Sequence, residues 1–227
     1  MKKKRIIILA IFSILSYSSY LSALNVTISP TPADGKDAYI DSSAPTTNYG
    51  AASDLNVYNN PSDYELRSLI QFELPTLLNG QNITLARLRL TKSTNTGDIT
   101  GDLVTAKRVT SSWDEATVTW VTQPTFDSLY ENTIPIDDQY TGAIVFDITD
   151  MVASWVEGSS ANYGVMLVHE SAQSGIKTFN SSENGGGSPS LYIEYSSSNT
   201  NPVPEPFTIL LLLSSIAGLF LKRISIK

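Results

Sequence analysis

Apolar residues recur at Ile83, Leu85, Leu88 and Leu90, with Thr84, Arg87 and Arg89 standing between them. A spacing of two is that of a strand with one buried face, whereas a helix would need about 3.6. The parity changes at Ala86 and Arg87, which predicts a bulge or a change of sheet there. Shorter runs of the same kind are Asp37 to Ile40, Leu55 to Tyr58, Leu66 to Leu74, Leu103 to Val109, Val118 to Val121, Ala143 to Ile148, Gly164 to His169, Ile176 to Phe179 and Leu191 to Tyr195. Between them lie turn signals such as Asn59-Asn60-Pro61, Leu78-Asn79-Gly80, Thr96-Gly97-Asp98 and Gly185-Gly186-Gly187. About ten short strands at this spacing predict an all-β fold, a β-sandwich of jelly-roll type.

One helix interrupts the pattern. Met151, Val152, Trp155 and Val156 recur at helical spacing between Thr149, read as the N-cap, and Gly158, which can end the turn. It is expected to close one end of the sandwich with Trp155 buried. The chain has no cysteine, so no disulfide staples the fold, and thiol chemistry and thiolate metal sites are excluded. Residues 24–203 carry eight lysines and arginines against twenty-one carboxylates, a net of −13 beside −7 for the whole chain. The other cations sit in the two ends. So acidic a domain repels nucleic acid and anionic lipid.

The ends read as export signals. Met1-Lys2-Lys3-Lys4-Arg5 followed by Ile6 to Leu15 has the layout of a secretory signal peptide, residues 1–23, cut after Ala23; an uncleaved anchor is the alternative. The domain then spans 24–195, a polar linker 196–202, and a tail 203–227. That tail opens with Val203-Pro204-Glu205-Pro206, runs apolar from 207 to 221 as a membrane helix, and stops at Lys222-Arg223. Fifteen helical residues reach about 22 Å, short of a hydrocarbon core of about 30 Å, which suits a segment held briefly and then cut. These residues resemble the PEP-CTERM sorting signal of Gram-negative bacteria, an ordinary tail anchor being the alternative. The resemblance implies processing by an exosortase, with the protein exported, transiently anchored in the inner membrane, and then placed at the outer surface or outside the cell.

A second resemblance covers nearly the whole domain. It is carried by Asp37-Ala38-Tyr39-Ile40 with Asn48-Tyr49-Gly50, by Arg67 to Leu74, and by Ala86-Arg87-Leu88-Arg89-Leu90. It continues in Ser112-Trp113-Asp114-Glu115-Ala116-Thr117-Val118-Thr119-Trp120 with Gln123-Pro124, and in Phe146 to Thr149 with Val152 and Trp155. Asn162-Tyr163-Gly164 and Phe179-Asn180-Ser181-Ser182-Glu183, before Pro189, Leu191, Ile193 and Tyr195, complete it. The tryptophan block is the most specific part, and Glu73 stands where aspartate is usual. These blocks resemble a DNRLRE domain, also classed as a family 96 carbohydrate-binding module. The resemblance implies a β-sandwich that binds acidic polysaccharide, alginate-like, as an accessory module; the chain is accordingly expected to be a non-enzymatic binder of such a polysaccharide or of the host's own exopolysaccharide.

The residues themselves offer little chemistry. The only histidine, His169, ends a strand beside Glu170 and reads as an exposed strand end rather than a catalytic base. Asp114 and Glu115 are adjacent, so their side chains point apart rather than across a scissile bond. A lyase using tyrosine and arginine needs no motif and has none in its favour, and a matrix or surface protein binding other proteins remains open. For glycan contact, Tyr49, Tyr58 and Tyr163 in polar loops and Trp113 are candidate stacking platforms, while Trp120 and Trp155 read as core. Arg87, Arg89 and Lys107 would form a positive strip if they share a face. Asp34, Asp37, Asp41 and Asp54 offer hard oxygen ligands for a structural calcium ion, without EF-hand spacing.

Overall fold

The computed structural model describes residues 23–94, 102–137, 140–171 and 175–197. The expected signal peptide up to residue 22, the linker beyond Ser197, the apolar segment 207–221 and the motif residues Val203, Pro204, Glu205, Pro206, Lys222 and Arg223 lie outside the described residues. No described helix is long and apolar enough to cross a membrane.

The strands are β1 (Leu24–Ile28), β2 (Asp37–Asp41), β3 (Asp54–Asn59), β4 (Glu65–Ile70), β5 (Asn82–Thr94), β6 (Asp102–Val109), β7 (Phe126–Ile136), β8 (Gly142–Asp147), β9 (Val165–His169), β10 (Lys177–Asn180) and β11 (Ser190–Ser196). One helix, α1 (Thr149–Val156), joins β8 to β9. All strand pairs are antiparallel and form one curled sheet in the order β1-β11-β5-β10-β3-β4-β9-β6-β7, with β2 added to β4 and β8 to β5. The strand-rich reading of the sequence therefore stands.

Curling brings two flanks of the sheet face to face. Leu88, Leu90, Phe146, Leu191 and Ile193 from the β5 side meet Ile70, Val104, Ala106, Val165 and Leu167 from the β4 side in one core. Each of the larger of these side chains, Ala106 excepted, contributes about 1.5–3 kcal/mol when withdrawn from water. α1 adds Met151, Val152 and Trp155 to that core. A second, smaller core lies on the other face of β2, β4 and β9, where Ala38, Ile40, Leu69, Met166 and Val168 pack with Trp113 and Val118. The segment from Trp113 to Phe126 thus covers the outside of that flank.

Several expectations are corrected. Val118 to Val121 is not a strand, because threonine side chains satisfy its backbone locally: the Thr119 N–H donates to Thr122 Oγ1 at 2.9 Å, and the Thr122 N–H donates to Thr119 Oγ1 at 3.3 Å. The run from Leu66 stops at Ile70 rather than Leu74. The bulge in β5 lies at Thr84, since Glu194 pairs with Leu85 and Tyr195 with Ile83. The sequence reading contains neither β1 nor β7; among the described strands β7 pairs only with β6, its residues 128–131 are exposed, and only its end alternates, with Ile134 and Ile136 turned to the core. Thr149 is the first helical residue, not the cap. Its N–H and hydroxyl donate to Asp147 Oδ1 at 3.1 and 2.6 Å, and its Oγ1 accepts the Ala86 N–H at 2.9 Å. Ser196 closes β11 instead of opening a linker.

Candidate functional site

The outer face of β5 carries exposed cations. Arg87 and Arg89 alternate with the buried Leu88 and Leu90 and are both exposed. Same-face neighbours on a strand lie about 6.6 Å apart, so the two guanidinium groups project side by side. Arg87 stands opposite Tyr192 on β11 and Asp147 on β8, and Arg89 opposite Ser190 and Val145. Neither arginine forms an ion pair among the described residues. Beside them the Tyr192 hydroxyl donates to Glu194 Oε1 at 2.8 Å, and that bond raises its pKa. Two unpaired guanidinium forks next to a phenol ring can grip carboxylates bidentately and stack on a sugar ring.

Lys107 does not join them. It pairs with Met166, on the face covered by the tryptophan segment, and lies 2.9 Å from Glu170 and 3.7 Å from Glu131. The expected three-cation strip is therefore a pair of arginines, with Lys107 on the opposite flank and already neutralised.

Tyr49 and Tyr58 belong to a second patch. Tyr49 stacks on Tyr39 with ring centroids 4.2 Å apart, and Tyr58 lies against Tyr64 at 4.8 Å. Burial, then the neighbouring Tyr49, Asp41 and Asp54, push the Tyr39 phenol up to about 12. Asp41 also acts on Tyr64, so both ring pairs face one acidic neighbour. Tyr163 is half-buried against the outer core, and its carbonyl accepts the Trp113 Nε1–H at 2.9 Å. Trp113 itself is 8% exposed and packs in the outer core, with the Lys36 ammonium 4.5 Å from its ring centre. Trp155 is buried as expected, and Trp120 is half-buried under the Arg67 guanidinium, 4.7 Å from its ring.

His169 is fully buried, not an exposed strand end. Its Nε2 lies 3.7 Å from Asp102 Oδ2, which also accepts from Lys177 Nζ, and all three residues are withdrawn from solvent. A base so enclosed cannot reach a polymer. Asp114 and Glu115 do point apart: Asp114 is exposed, while Glu115 Oε1 turns inward to accept the Asp37 N–H at 2.8 Å.

The four aspartates expected around calcium are dispersed. Asp34 accepts from Thr31 at 2.5 Å, Asp41 accepts from Ser43 at 2.7 Å, and Asp54 starts β3 opposite Asn180. Asp37 instead meets Glu115 and Glu183, one carboxylate oxygen of each lying within 4.8 Å of the other two. Burial, then the charges of Glu183 and Glu115, raise the Asp37 carboxyl to about 7, and burial also raises Glu115. Sequence reasoning missed both glutamates because they are far from Asp37 along the chain; each does fall in a block that carried the domain resemblance, the tryptophan block and the Phe179-to-Glu183 block.

No curated protein matches the chain. The model of carbohydrate-binding module family 96 matches residues 29–195, most of the chain, and the protein belongs to that family.

Proposed function

We propose that the chain is a non-catalytic module that binds acidic polysaccharide, alginate-like or the host's own exopolysaccharide, on the outer face of β5, β8 and β11. Membership of a carbohydrate-binding family supports the class of ligand. The observation that carries the acidic preference is the pair of exposed guanidinium groups of Arg87 and Arg89, which form no ion pair among the described residues, beside Tyr192 on an otherwise acidic domain. In this reading the curled sheet is a jelly-roll-type sandwich whose open side presents the ligand face. The N-terminal leader exports the module, and the tail from Val203 to Arg223 is a PEP-CTERM signal that holds it at the inner membrane until an exosortase releases it to the outer surface or beyond.

The test is electrophoresis of the full-length protein through gels containing alginate, other polyuronates and neutral glycans. Retardation by the polyuronates with little effect of neutral glycans is expected; unchanged mobility in every gel would overturn the proposal. A second reading, a surface or matrix protein that binds other proteins, is favoured by β7, which pairs on one side only and exposes Leu129 and Tyr130. Self-association without glycan retention would select it.

A further inference from the structure

We propose that Asp37, Glu115 and Glu183 form a binding site for one hard divalent cation, with calcium the best match. The three residues come from the start of β2, the segment between β6 and β7, and the turn after β10. One oxygen of each carboxylate is already committed to orienting it. Asp37 Oδ2 accepts the Ser182 N–H at 3.0 Å, Glu115 Oε1 accepts the Asp37 N–H at 2.8 Å, and Glu183 Oε1 accepts the Ser182 hydroxyl at 2.9 Å.

An independent observation comes from the remaining oxygens. Asp37 is 1% exposed, yet its Oδ1 has no hydrogen-bond partner, and Glu183 Oε2 is likewise buried and unpartnered. A buried carboxylate oxygen without a donor is costly, and three carboxylates this close repel one another unless a cation lies among them. Among the described residues no lysine or arginine forms an ion pair with any of the three. The nearest acting cation, Lys36, favours the charged form of Glu115 but is drawn over the Trp113 ring.

The surrounding chain is fitted closely to this cluster. A Cβ on Gly50 would lie 2.2 Å from the Glu115 carbonyl oxygen, and one on Gly35 would lie 2.3 Å from Ser182 Oγ. The donors are all carboxylate oxygens, without histidine or cysteine, which selects a hard ion over zinc or copper. Calcium accepts such an irregular oxygen set, whereas magnesium demands a near-ideal octahedron. A bound ion would tie β2, the tryptophan segment and the β10–β11 turn together at one point.

The probe is calcium itself, titrated calorimetrically into the chelator-treated full-length protein at pH near neutrality, with magnesium for comparison. One calcium per chain is expected, with a dissociation constant of about 1 mM or tighter, as in extracellular calcium sites. Glu183→Gln and Glu115→Gln should weaken it at least tenfold, while Asp34→Asn and Asp54→Asn leave it unchanged. Near-UV circular dichroism establishes that each variant is folded. Should the glutamine variants not fold, the wild-type titration and the rise of its melting temperature with calcium decide the question. Absence of stoichiometric binding by the wild type, or binding by folded Glu183→Gln equal to that of the wild type, overturns the proposal.

Discussion

Replacing Trp113 separates a packing role from a ligand-contact role. The indole is 8% exposed, belongs to the outer core with Ala38, Ile40, Leu69 and Met166, and donates its N–H to the Tyr163 carbonyl at 2.9 Å. Trp113→Ala removes that bond and leaves a cavity under the tryptophan segment, at a cost of about 4 kcal/mol. For a domain of this size each kcal/mol shifts the melting temperature by about 3 °C, so a fall of about 12 °C is expected by circular dichroism. Trp113→Phe keeps most of the apolar volume and the surface under Lys36 but strands the Tyr163 carbonyl, and should cost about 1–2 kcal/mol. Both variants, held well below their melting points, should be retarded by polyuronate as strongly as the wild type. An unchanged melting temperature together with lost retention would refute the reasoning, because it would make the indole a ligand platform.

Without a bound cation Asp37, pushed up to about 7 by burial and by Glu183 and Glu115, keeps its proton in the fold below neutral pH. A carboxyl raised in this way contributes most below its unfolded value of 3.8, and the contribution is lost as pH rises towards 7. Glu115, also raised, acts in the same direction while Lys36 opposes it; in chelator the melting temperature should therefore fall between about pH 5 and pH 7, and Asp37→Asn should flatten that slope. Lys177→Met leaves the buried Asp102 carboxylate without its cation and should cost about 3–5 kcal/mol in urea unfolding, despite the gain of an apolar side chain. Gly50→Ala drives a methyl group against the Glu115 carbonyl oxygen and should cost about 2 kcal/mol by the same assay.

The sequence made the sheet legible wherever one face of a strand is buried. β5 is the clear case: Leu88 and Leu90 face the core, while Arg87 and Arg89 reach solvent, as their alternation required. β7 escaped because residues 128–131 of this edge strand are exposed on both faces, and the one pair that alternates towards the core, Ile134 and Ile136, is interrupted by Pro135. Val118 to Val121 misled in the opposite way, since a covering loop also alternates between a core side chain and polar groups; what separates it from a strand is threonine bonding to its own backbone. The two arginines were recognisable as exposed cations, but whether Lys107 shared their face depended on how the flanks curl, which no local pattern records. The carboxylate cluster was half legible. Asp37 was picked out as a ligand, yet its partners depend on three loops converging, and the nearby aspartates in sequence point elsewhere.

The most direct measurement is affinity electrophoresis of full-length Arg87→Ala/Arg89→Ala in a polyuronate gel, beside the wild type and Lys107→Ala. Charge-assisted hydrogen bonds contribute about 1.5–3 kcal/mol each, so losing both guanidinium groups should weaken retention at least tenfold, while Lys107→Ala, on the opposite flank, stays close to wild type. Retention of the double variant equal to that of the wild type would contradict the assignment of the β5 face as the polysaccharide-binding surface.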